Sequence, residues 1–152
     1  LPCLIKKFQN VLITIGQIKN SRTRSDMFIF LKKIGANFPI ISSPHSYISK
    51  TSEVNEGCII MHGAILNSQS QVKENCIINS NALIEHDVVI EKNSHVSTGA
   101  SINGEAYIES GVFIGSGATI IEGVKIGANS IIGAGTTVLK DLPSNSVFTG
   151  TK

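Results

Sequence analysis

The chain has 152 residues, a formal net charge of +2, 16% charged residues, 5% aromatic residues and no tryptophan. This length suits one compact domain. The composition excludes a disordered chain, which would be less apolar, and a typical nucleic-acid-binding protein, which would be more basic. No run of about 18 apolar residues occurs, so we expect no membrane span.

Charge is unevenly distributed along the chain. Residues 1–34 carry seven basic residues and one acidic residue, whereas the rest of the chain carries six basic and ten acidic residues. This asymmetry predicts two regions with different tasks. Because Pro39 marks the passage between them, we place the boundary at residue 40 and distinguish residues 1–40 from residues 41–152.

The three cysteines Cys3, Cys58 and Cys76 do not have the spacing of a zinc site, and their odd number argues against a disulfide framework. Reduced thiols are typical of a cytoplasmic protein, which is the location we expect. The chain begins with Leu and opens without the apolar block of a secretory signal, so we expect no signal peptide and interpret the chain as a fragment of a longer protein.

A six-residue repeat runs through most of the chain. Every sixth residue from position 48 to position 138 is aliphatic, without interruption: Ile48, Val54, Ile60, Leu66, Val72, Ile78, Ile84, Ile90, Val96, Ile102, Ile108, Ile114, Ile120, Ile126, Ile132 and Val138. The residue four positions after each of the first fifteen is small or of valine size. A period of six fits neither an α-helix nor a simple strand alternation.

This repeat predicts an all-β parallel β-helix in which each hexad forms one short strand and a turn. Three hexads close one triangular coil, so the repeat predicts about five coils and a prism roughly 25 Å tall. Cys58 and Cys76, which are three hexads apart, are expected to stack inside it. Pro143 and Asn145 favour a turn that stops the repeat at residues 142–147.

The region before the prism is predicted to be a short α/β remnant. Residues 10–16 are apolar and β-branched, as in a buried parallel strand. After a polar loop, residues 23–34 have the apolar periodicity of a helix, with Ser25 as its cap and Gly35 at its end. One such unit cannot cover both faces of its sheet, so it resembles the last part of a larger domain.

Among the four histidines His45, His62, His86 and His95, His86 has the neighbours of a catalytic base. It lies two residues after the inward-facing Ile84, which places it at an outward corner of the prism. Asp87 follows it and can orient the imidazole or stabilise its cation. Imidazole titrates near neutral pH, which suits the removal of a proton from a hydroxyl or an amine.

Glycines are concentrated in the last third of the chain, in the strings GVFIGSG, VKIG and IIGAG. They either serve tight corners or let an extended ligand approach the backbone. Thr98, Ser116 and Ala134 follow one another at intervals of three hexads and stack in one column, along which a long thin ligand could lie. His62 and His86 fall on different corners, and no histidine–carboxylate set has metal-ligand spacing, so we expect no metal site.

The strings NVLITIGQIKNSRTR, CIINSNALIEHDVVI, NSHVSTGA and IIGAGTTVLKDLPSNSVFTG carry a resemblance that runs over nearly the whole chain. The chain resembles the hexapeptide-repeat sugar acetyltransferases of the sialic-acid O-acetyltransferase and bacillosamine N-acetyltransferase type. Two features depart from that family: most of its N-terminal domain, including the Gly-rich loop, is absent, and the usual Pro-Ala-Lys ending is replaced by residues 149–152.

The resemblance implies a left-handed β-helix, a homotrimer with active sites between subunits, and acetyl transfer from acetyl-CoA to a sugar or nucleotide-sugar. It implies that residues 1–40 are a remnant of a sugar-nucleotide-binding domain. His86 would be the general base and Asp87 its supporting acid. His95 would contact acetyl-CoA, and Asn79 would lie near the acceptor. The positions that match backbone contacts to the pantetheine arm are Ser116 and Ala134.

Several functions stay open at this point. The favoured one is acetylation of an amino or hydroxyl group of a nucleotide-linked amino sugar, for surface glycan synthesis. The alternatives are a sialic acid O-acetyltransferase, a zinc hydratase of the carbonic-anhydrase type on the same prism, and a non-catalytic scaffold, since a prism alone says nothing about chemistry.

Overall fold

The computed structural model describes residues 2–18 and 20–150. Two helices come first, α1 (Pro2–Lys7) and α2 (Arg22–Lys33), and two-residue strands follow. The strands are β1 (Ile41–Ser42), β2 (Tyr47–Ile48), β3 (Glu53–Val54), β4 (Ile59–Ile60), β5 (Ile65–Leu66), β6 (Gln71–Val72), β7 (Ile77–Ile78), β8 (Leu83–Ile84), β9 (Val89–Ile90), β10 (His95–Val96), β11 (Ser101–Ile102), β12 (Tyr107–Ile108), β13 (Phe113–Ile114), β14 (Thr119–Ile120), β15 (Lys125–Ile126), β16 (Ile131–Ile132), β17 (Thr137–Val138) and β18 (Val147–Phe148). No helix in these ranges is long and apolar enough to cross a membrane.

The strands form three parallel sheets that wind as a β-helix, which confirms the predicted fold. The sheets have seven strands (β1-β4-β7-β10-β13-β16-β18), six strands (β17-β14-β11-β8-β5-β2) and five strands (β15-β12-β9-β6-β3). Each strand from β1 to β14 pairs with the strand three later, as where Ile102 lies opposite Ile120, so three hexads make one coil. Backbone N–H groups therefore bond to carbonyls of the neighbouring coil, such as Ser101 N to Ala118 O at 2.8 Å.

The inward-facing aliphatic residues form one continuous core. Residues such as Ile84, Ile102 and Ile120 are fully buried, as are Cys58 and Cys76. Each buried isoleucine contributes about 1.5–3 kcal/mol through the apolar surface it removes from water. Similar aliphatic residues stack at the same position of successive coils. The prism is therefore regular, and its corners recur at fixed positions.

The corners of the prism need a left-handed backbone conformation once every six residues. Glycine and asparagine supply most of these positions, as at Gly99 and Asn93, because they adopt positive φ most readily. Gln69, Asp87 and Glu105 are the exceptions within the repeat among the described residues, with φ between 58° and 61°. All three lie at the corner between the six-stranded and five-stranded sheets.

The repeat extends further at both ends than the sequence predicted. β1 precedes the first predicted hexad, because Ser42 takes the register position of an aliphatic residue, and the prism has about six coils. At the far end the expected stop at residues 142–147 is wrong. Leu142 bridges Ile126, and Phe148 pairs with Ile132 in β18, so the last coil continues but is shorter than the others.

The predicted strand at residues 10–16 is wrong. Only one isolated bridge forms there, between Asn10 and Asn37. The carbonyl groups of Ile13 and Ile15 accept hydrogen bonds from the guanidinium of Arg24, at 2.6 and 3.0 Å, instead of from a neighbouring strand. The Arg24 side chain therefore provides the hydrogen-bond donors that a neighbouring strand would otherwise supply to this segment.

Helix α2 confirms the predicted helix within one residue at each end. Its predicted cap is wrong: the helix starts after Ser21, and the hydroxyl of Ser25 bonds to the carbonyl of Arg22 within the first turn. Gly35 follows the helix with a φ of 87°. The expected apolar face packs into a second core, separate from that of the prism, whose buried residues are Ile5, Ile13, Phe28, Leu31, Ala36 and Phe38. Helix α1 was not predicted.

Arg24 attaches this second core to the prism. Its side chain is 1% exposed, and besides the two carbonyls of residues 13 and 15 it donates to the carbonyls of Asn75 and Gly57, both at 3.3 Å. Because a buried cation is costly without hydrogen-bond partners, these four bonds hold residues 13–15 and helix α2 against the prism.

Candidate functional site

His86 lies at an outward corner of the prism, as the six-residue frame predicts. The turn between β8 and β9 carries it, so this "His86 corner" separates the six-stranded sheet from the five-stranded sheet. Asp87 has a φ of 60°, and its Oδ2 accepts a hydrogen bond from His86 Nδ1 at 2.9 Å. Because Nδ1 carries the proton, Nε2 of the neutral ring has a free lone pair. The His86 side chain is 51% exposed, so a substrate can reach this lone pair.

Gly104 forms the surface against which the His86 ring rests. It is a buried residue at the equivalent position of the next coil, 18 residues after His86. A Cβ at this position would come within 2.6 Å of His86 Cε1 and 2.7 Å of His86 Nε2. The absence of a side chain at Gly104 therefore lets the ring pack against the backbone of the next coil. The sequence analysis missed this residue, although its position three hexads after His86 was a readable signal.

Acidic side chains surround His86. The hydrogen bond to Asp87 raises the pKa of His86 above its ordinary value, and the negative charges of Asp87, Glu85 and Glu105 raise it further, against an opposing effect of burial. A raised pKa makes the imidazole a stronger base. The same charges favour a cationic group, such as an ammonium, near the ring.

His95 lies on a different part of the prism, in β10 of the seven-stranded sheet. It is 9% exposed, and its Nδ1 is 2.8 Å from the carbonyl oxygen of Gln17. The ring meets Phe113 edge-on, with 5.3 Å between centroids. Burial lowers the pKa of His95 and the positive charge of Arg24 lowers it further, against the opposing effect of the bond to Gln17. The lowered pKa favours the neutral form of His95. The sequence analysis did not single out Gln17, just as it did not single out Gly104.

Asn79 follows β7 and lies beside His95. Its Oδ1 accepts a hydrogen bond from the N–H of Ser80 at 2.8 Å, which orients the side-chain amide. The Nδ2 group then faces His95 Nε2 at 3.4 Å. The structure therefore brings together two of the predicted site residues, Asn79 and His95.

Ser116 and Ala134 lie at the corner between the seven-stranded and six-stranded sheets, the "Ser116 corner", and both are exposed. Gly117 and Gly135, the residues that follow them, have φ of 65° and 67°, and no atom lies within 4 Å of a Cβ built on either. Among the described residues, the N–H groups of Ser116 and Ala134 have no protein acceptor. The corner thus offers free N–H donors, about 4.8 Å apart along the stack, next to backbone without side chains.

The glycine strings serve two purposes, and the structure separates them. A Cβ at Gly115 would lie 2.5 Å from the nitrogen of Ala134, and one at Gly127 would lie 2.3 Å from the nitrogen of Ser144. These two glycines allow coils to stack closely. Gly117 and Gly135 face open space instead, so their lack of side chains leaves room for a ligand.

Within one chain the structure brings His86 to Asp87 but not to the other predicted site residues. The His86 corner borders the six-stranded and five-stranded sheets, whereas His95 and Asn79 belong to the seven-stranded sheet and its edge. The Ser116 corner lies next to Asn79, since Ser80 occupies the same column. The predicted residues thus form two separate surfaces on one prism.

The remaining histidines lie in the first coils of the prism, at the same corner between the seven-stranded and six-stranded sheets. His45 and His62 stack with their ring centroids 6.1 Å apart, and both are exposed. Within residues 2–18 and 20–150, no three His, Cys, Asp or Glu side chains are grouped closely enough to hold a metal ion.

Comparison with known proteins gives one matching family model, described as bacterial transferase hexapeptide (six repeats), over residues 105–140. No curated protein matches the sequence.

Solved structures match over nearly the whole chain. PerB from Caulobacter crescentus, in complex with CoA and GDP-perosamine, is 28% identical, with a TM-score of 0.90 over 95% of this chain and 69% of that one. A histidine-to-asparagine variant of the perosamine N-acetyltransferase from Caulobacter crescentus, with the same two ligands, is 27% identical, with a TM-score of 0.90 over 95% of this chain and 68% of that one.

The acetyltransferase domain of PglB from Neisseria gonorrhoeae, in complex with acetyl coenzyme A, is 23% identical and has a TM-score of 0.86 over 93% of this chain and 70% of that one, which shows a shared fold. The chain therefore shares the parallel β-helix fold of these acetyltransferases, and residues 105–140 match the hexapeptide repeat of bacterial transferases.

Proposed function

We propose that the protein transfers the acetyl group of acetyl-CoA to the amino group of a nucleotide-linked sugar, with His86 as general base. The observation that carries the proposal is the hydrogen bond between Asp87 and His86 Nδ1, which leaves Nε2 unprotonated and exposed over Gly104. The relative from Caulobacter crescentus binds CoA and GDP-perosamine. We propose a nucleotide-linked amino sugar of this type as the acceptor, because it carries the amine that would be acetylated. Its product would serve surface glycan synthesis.

The reaction would proceed by direct attack. The acceptor nitrogen forms a bond to the thioester carbonyl carbon while His86 Nε2 takes a proton from it. The carbon–sulfur bond then breaks, and the CoA thiolate leaves and receives a proton. A backbone N–H would stabilise the oxyanion of the tetrahedral intermediate. Neither Cys58 nor Cys76 acts as a nucleophile in this reaction, since both are fully buried.

The charge around His86 favours an amine over a hydroxyl as the acceptor. An amino sugar arrives largely as an ammonium, which the carboxylates of Glu85, Asp87 and Glu105 attract and which loses a proton to solvent before its nitrogen attacks. The same carboxylates raise the pKa of His86 and so increase its affinity for the proton it must remove. O-acetylation, including that of a sialic acid, is therefore the less favoured reaction.

The Ser116 corner is the proposed site of the pantetheine arm of acetyl-CoA. The free N–H groups of Ser116 and Ala134 can donate to its amide carbonyls, and Gly117 and Gly135 leave space for it. His95 and Asn79, next to this corner, are proposed to contact acetyl-CoA and the acceptor, respectively. These assignments rest on the resemblance as well as on the exposure of the corner.

We propose that the active site forms between copies in a homotrimer. His86 and the Ser116 corner lie on opposite edges of the six-stranded sheet of one chain. A crevice between two prisms can place His86 of one copy against the Ser116 corner of the next. Three equivalent crevices would close the ring.

Residues 1–40 are proposed to belong to a domain that binds the sugar nucleotide. Their core is separate from that of the prism. Leu12, Ile15 and Ile18 are exposed apolar side chains of this region.

A cytoplasmic location is also part of the proposal, since the free thiols of Cys58 and Cys76 are typical of that compartment.

The test is release of free CoA thiol from acetyl-CoA in the presence of nucleotide-linked sugars that carry either an amine or only hydroxyl groups. Wild type is expected to turn over the amino sugars, and His86→Ala to lose on the order of 10²–10⁴ in kcat. His45→Ala, which removes an exposed histidine of the first coils, serves as the control and should keep full activity. Full activity of His86→Ala contradicts the proposal.

A further inference from the structure

The hydrogen-bond partners of His95 determine which of its two ring nitrogens carries the proton. The neighbour of Nδ1 is the main-chain oxygen of Gln17 at 2.8 Å, and a carbonyl can only accept, so Nδ1 must donate. The neighbour of Nε2 is Asn79 Nδ2, whose amide is oriented by the bond from Ser80 N–H to Oδ1. Nε2 therefore faces a donor and must accept. Both partners of the ring thus require the tautomer that is protonated at Nδ1.

The carbonyl of Gln17 is itself held in place from two sides. The side-chain Nε2 of Gln17 donates to the main-chain oxygen of Asn93 on the prism at 2.6 Å. Arg24 bonds the carbonyls of Ile13 and Ile15, a few residues earlier, and also bonds the prism carbonyl of Asn75. The segment that ends at Gln17 is thus fixed to the prism next to His95.

We infer that Gln17 is a positioning residue, whose carbonyl holds His95 as the Nδ1–H tautomer and so presents an unprotonated Nε2 beside the amide of Asn79. The inference rests on the proposed acetyl-transfer function for its consequence, and on these contacts for its structural part. It couples residues 1–40 to the prism, because a loop of the first region sets the hydrogen-bonding character of a side chain in the second.

Nε2 and the Asn79 amide form an acceptor and a donor side by side. Their separation of 3.4 Å is longer than an ordinary hydrogen bond, so their mutual bond is weak and a better-placed ligand group can replace it. An amide N–H of the pantetheine arm can donate to Nε2, and Asn79 Nδ2 then remains free to donate to the acceptor. The Nε2–H tautomer would instead set two donors against each other and would not accept from the ligand.

The structural part is tested by nitrogen-15 NMR of the histidine rings in the wild-type protein without substrates. The expected result is a His95 with protonated Nδ1 and unprotonated Nε2 at pH 7. A charged His95, or one protonated at Nε2, overturns the inference. This measurement needs no activity, so it fails or succeeds separately from the proposed function.

The role of Gln17 is tested with Gln17→Met, which keeps the length of the side chain and removes its bond to Asn93. Oε1 of Gln17 is buried with no hydrogen-bond partner among the described residues, so the methionine also removes an unsatisfied acceptor and is expected to fold. The Nε2–H tautomer of His95 should become populated. The KM for acetyl-CoA should rise about five- to tenfold with a smaller change in kcat, the effect of one lost hydrogen bond.

The matched control is Gln71→Met in β6 of the five-stranded sheet, far from His95. It should leave both the His95 signals and the KM for acetyl-CoA unchanged. If Gln17→Met gives the same His95 signals and the same KM as wild type, Gln17 does not position the ring. If the signals change and KM does not, the ligand does not use His95 Nε2, and the inference fails in its functional part.

Discussion

Asp87 holds His86 through a backbone conformation that few residues adopt. Its φ is 60°, and from this position Oδ2 reaches His86 Nδ1 at 2.9 Å. Asparagine tolerates the same conformation and has nearly the same shape, so Asp87→Asn removes the charge with little change in the turn.

Asp87→Asn should lower the pKa of His86 towards its ordinary value, since the first cause of the raised pKa is the bond to Asp87. A base is active when unprotonated, so kcat/KM of wild type should rise with pH through the pKa of His86. In the variant this rise should move to lower pH, and the plateau at high pH should fall about 10- to 100-fold because the base is weaker.

The pH dependence of kcat/KM for wild type and Asp87→Asn checks this expectation. Glu85 and Glu105 also act on the ring, so the shift should be partial. A variant whose rise lies at the same pH as that of wild type, with an equal plateau, would show that Asp87 does not tune His86.

Gly104→Ala should displace the His86 ring without unfolding the protein. The added Cβ would lie 2.6 Å from Cε1 of a surface side chain that can rotate away, and Gly104 has no positive φ to strain. We expect the melting temperature to stay close to that of wild type and kcat/KM to fall at least about tenfold, since a small misplacement of a catalytic group is costly. Equal activity of Gly104→Ala and wild type would contradict the assigned position of the ring.

Glu105→Gly should stabilise the prism. Glu105 has a φ of 61°, a conformation that costs a residue with a side chain roughly 1–2 kcal/mol and glycine much less. Glycine loses some of this advantage through its greater freedom in the unfolded state, so a gain of about 1 kcal/mol is expected from denaturant unfolding. Glu122→Gly, at the same corner without positive φ, is the control and should be neutral or destabilising.

Gly115→Ala and Gly117→Ala should separate stacking from ligand binding. The first places a Cβ 2.5 Å from the backbone nitrogen of Ala134 and should cost about 1–3 kcal/mol of unfolding free energy. The second meets no atom within 4 Å and should fold with modest strain, but should raise the KM for acetyl-CoA. Unfolding curves and KM values of both variants test this, and the reverse pattern would remove the Ser116 corner as the pantetheine site.

The prism could be predicted from the sequence because its core repeats without a gap from Ile48 to Val138, and each hexad has the same neighbours. The ends could not be predicted in the same way. Ser42 does not match the aliphatic pattern, and the shorter last coil breaks the count before Phe148. Pairing there depends on backbone hydrogen bonds that no side-chain pattern records.

The two surfaces of the candidate site also differ in how far the sequence could predict them. His86 and Asp87 are adjacent in sequence, so their contact could be anticipated from the motif alone. The contact between Gln17 and His95 joins residues 78 positions apart, and it depends on the path of a segment that Arg24 holds. Single-sequence patterns give no signal for such a main-chain contact.

The central claim is that His86 of one copy meets acetyl-CoA bound along the Ser116 corner of another. The most direct measurement is a crystal structure of the protein with CoA. The account predicts three chains around a three-fold axis, with the pantetheine arm beside Ser116 and Ala134 and the sulfur facing the Nε2 of a His86 from a neighbouring chain. A structure in which CoA binds elsewhere, or in which His86 faces open solvent away from the sulfur, would contradict it.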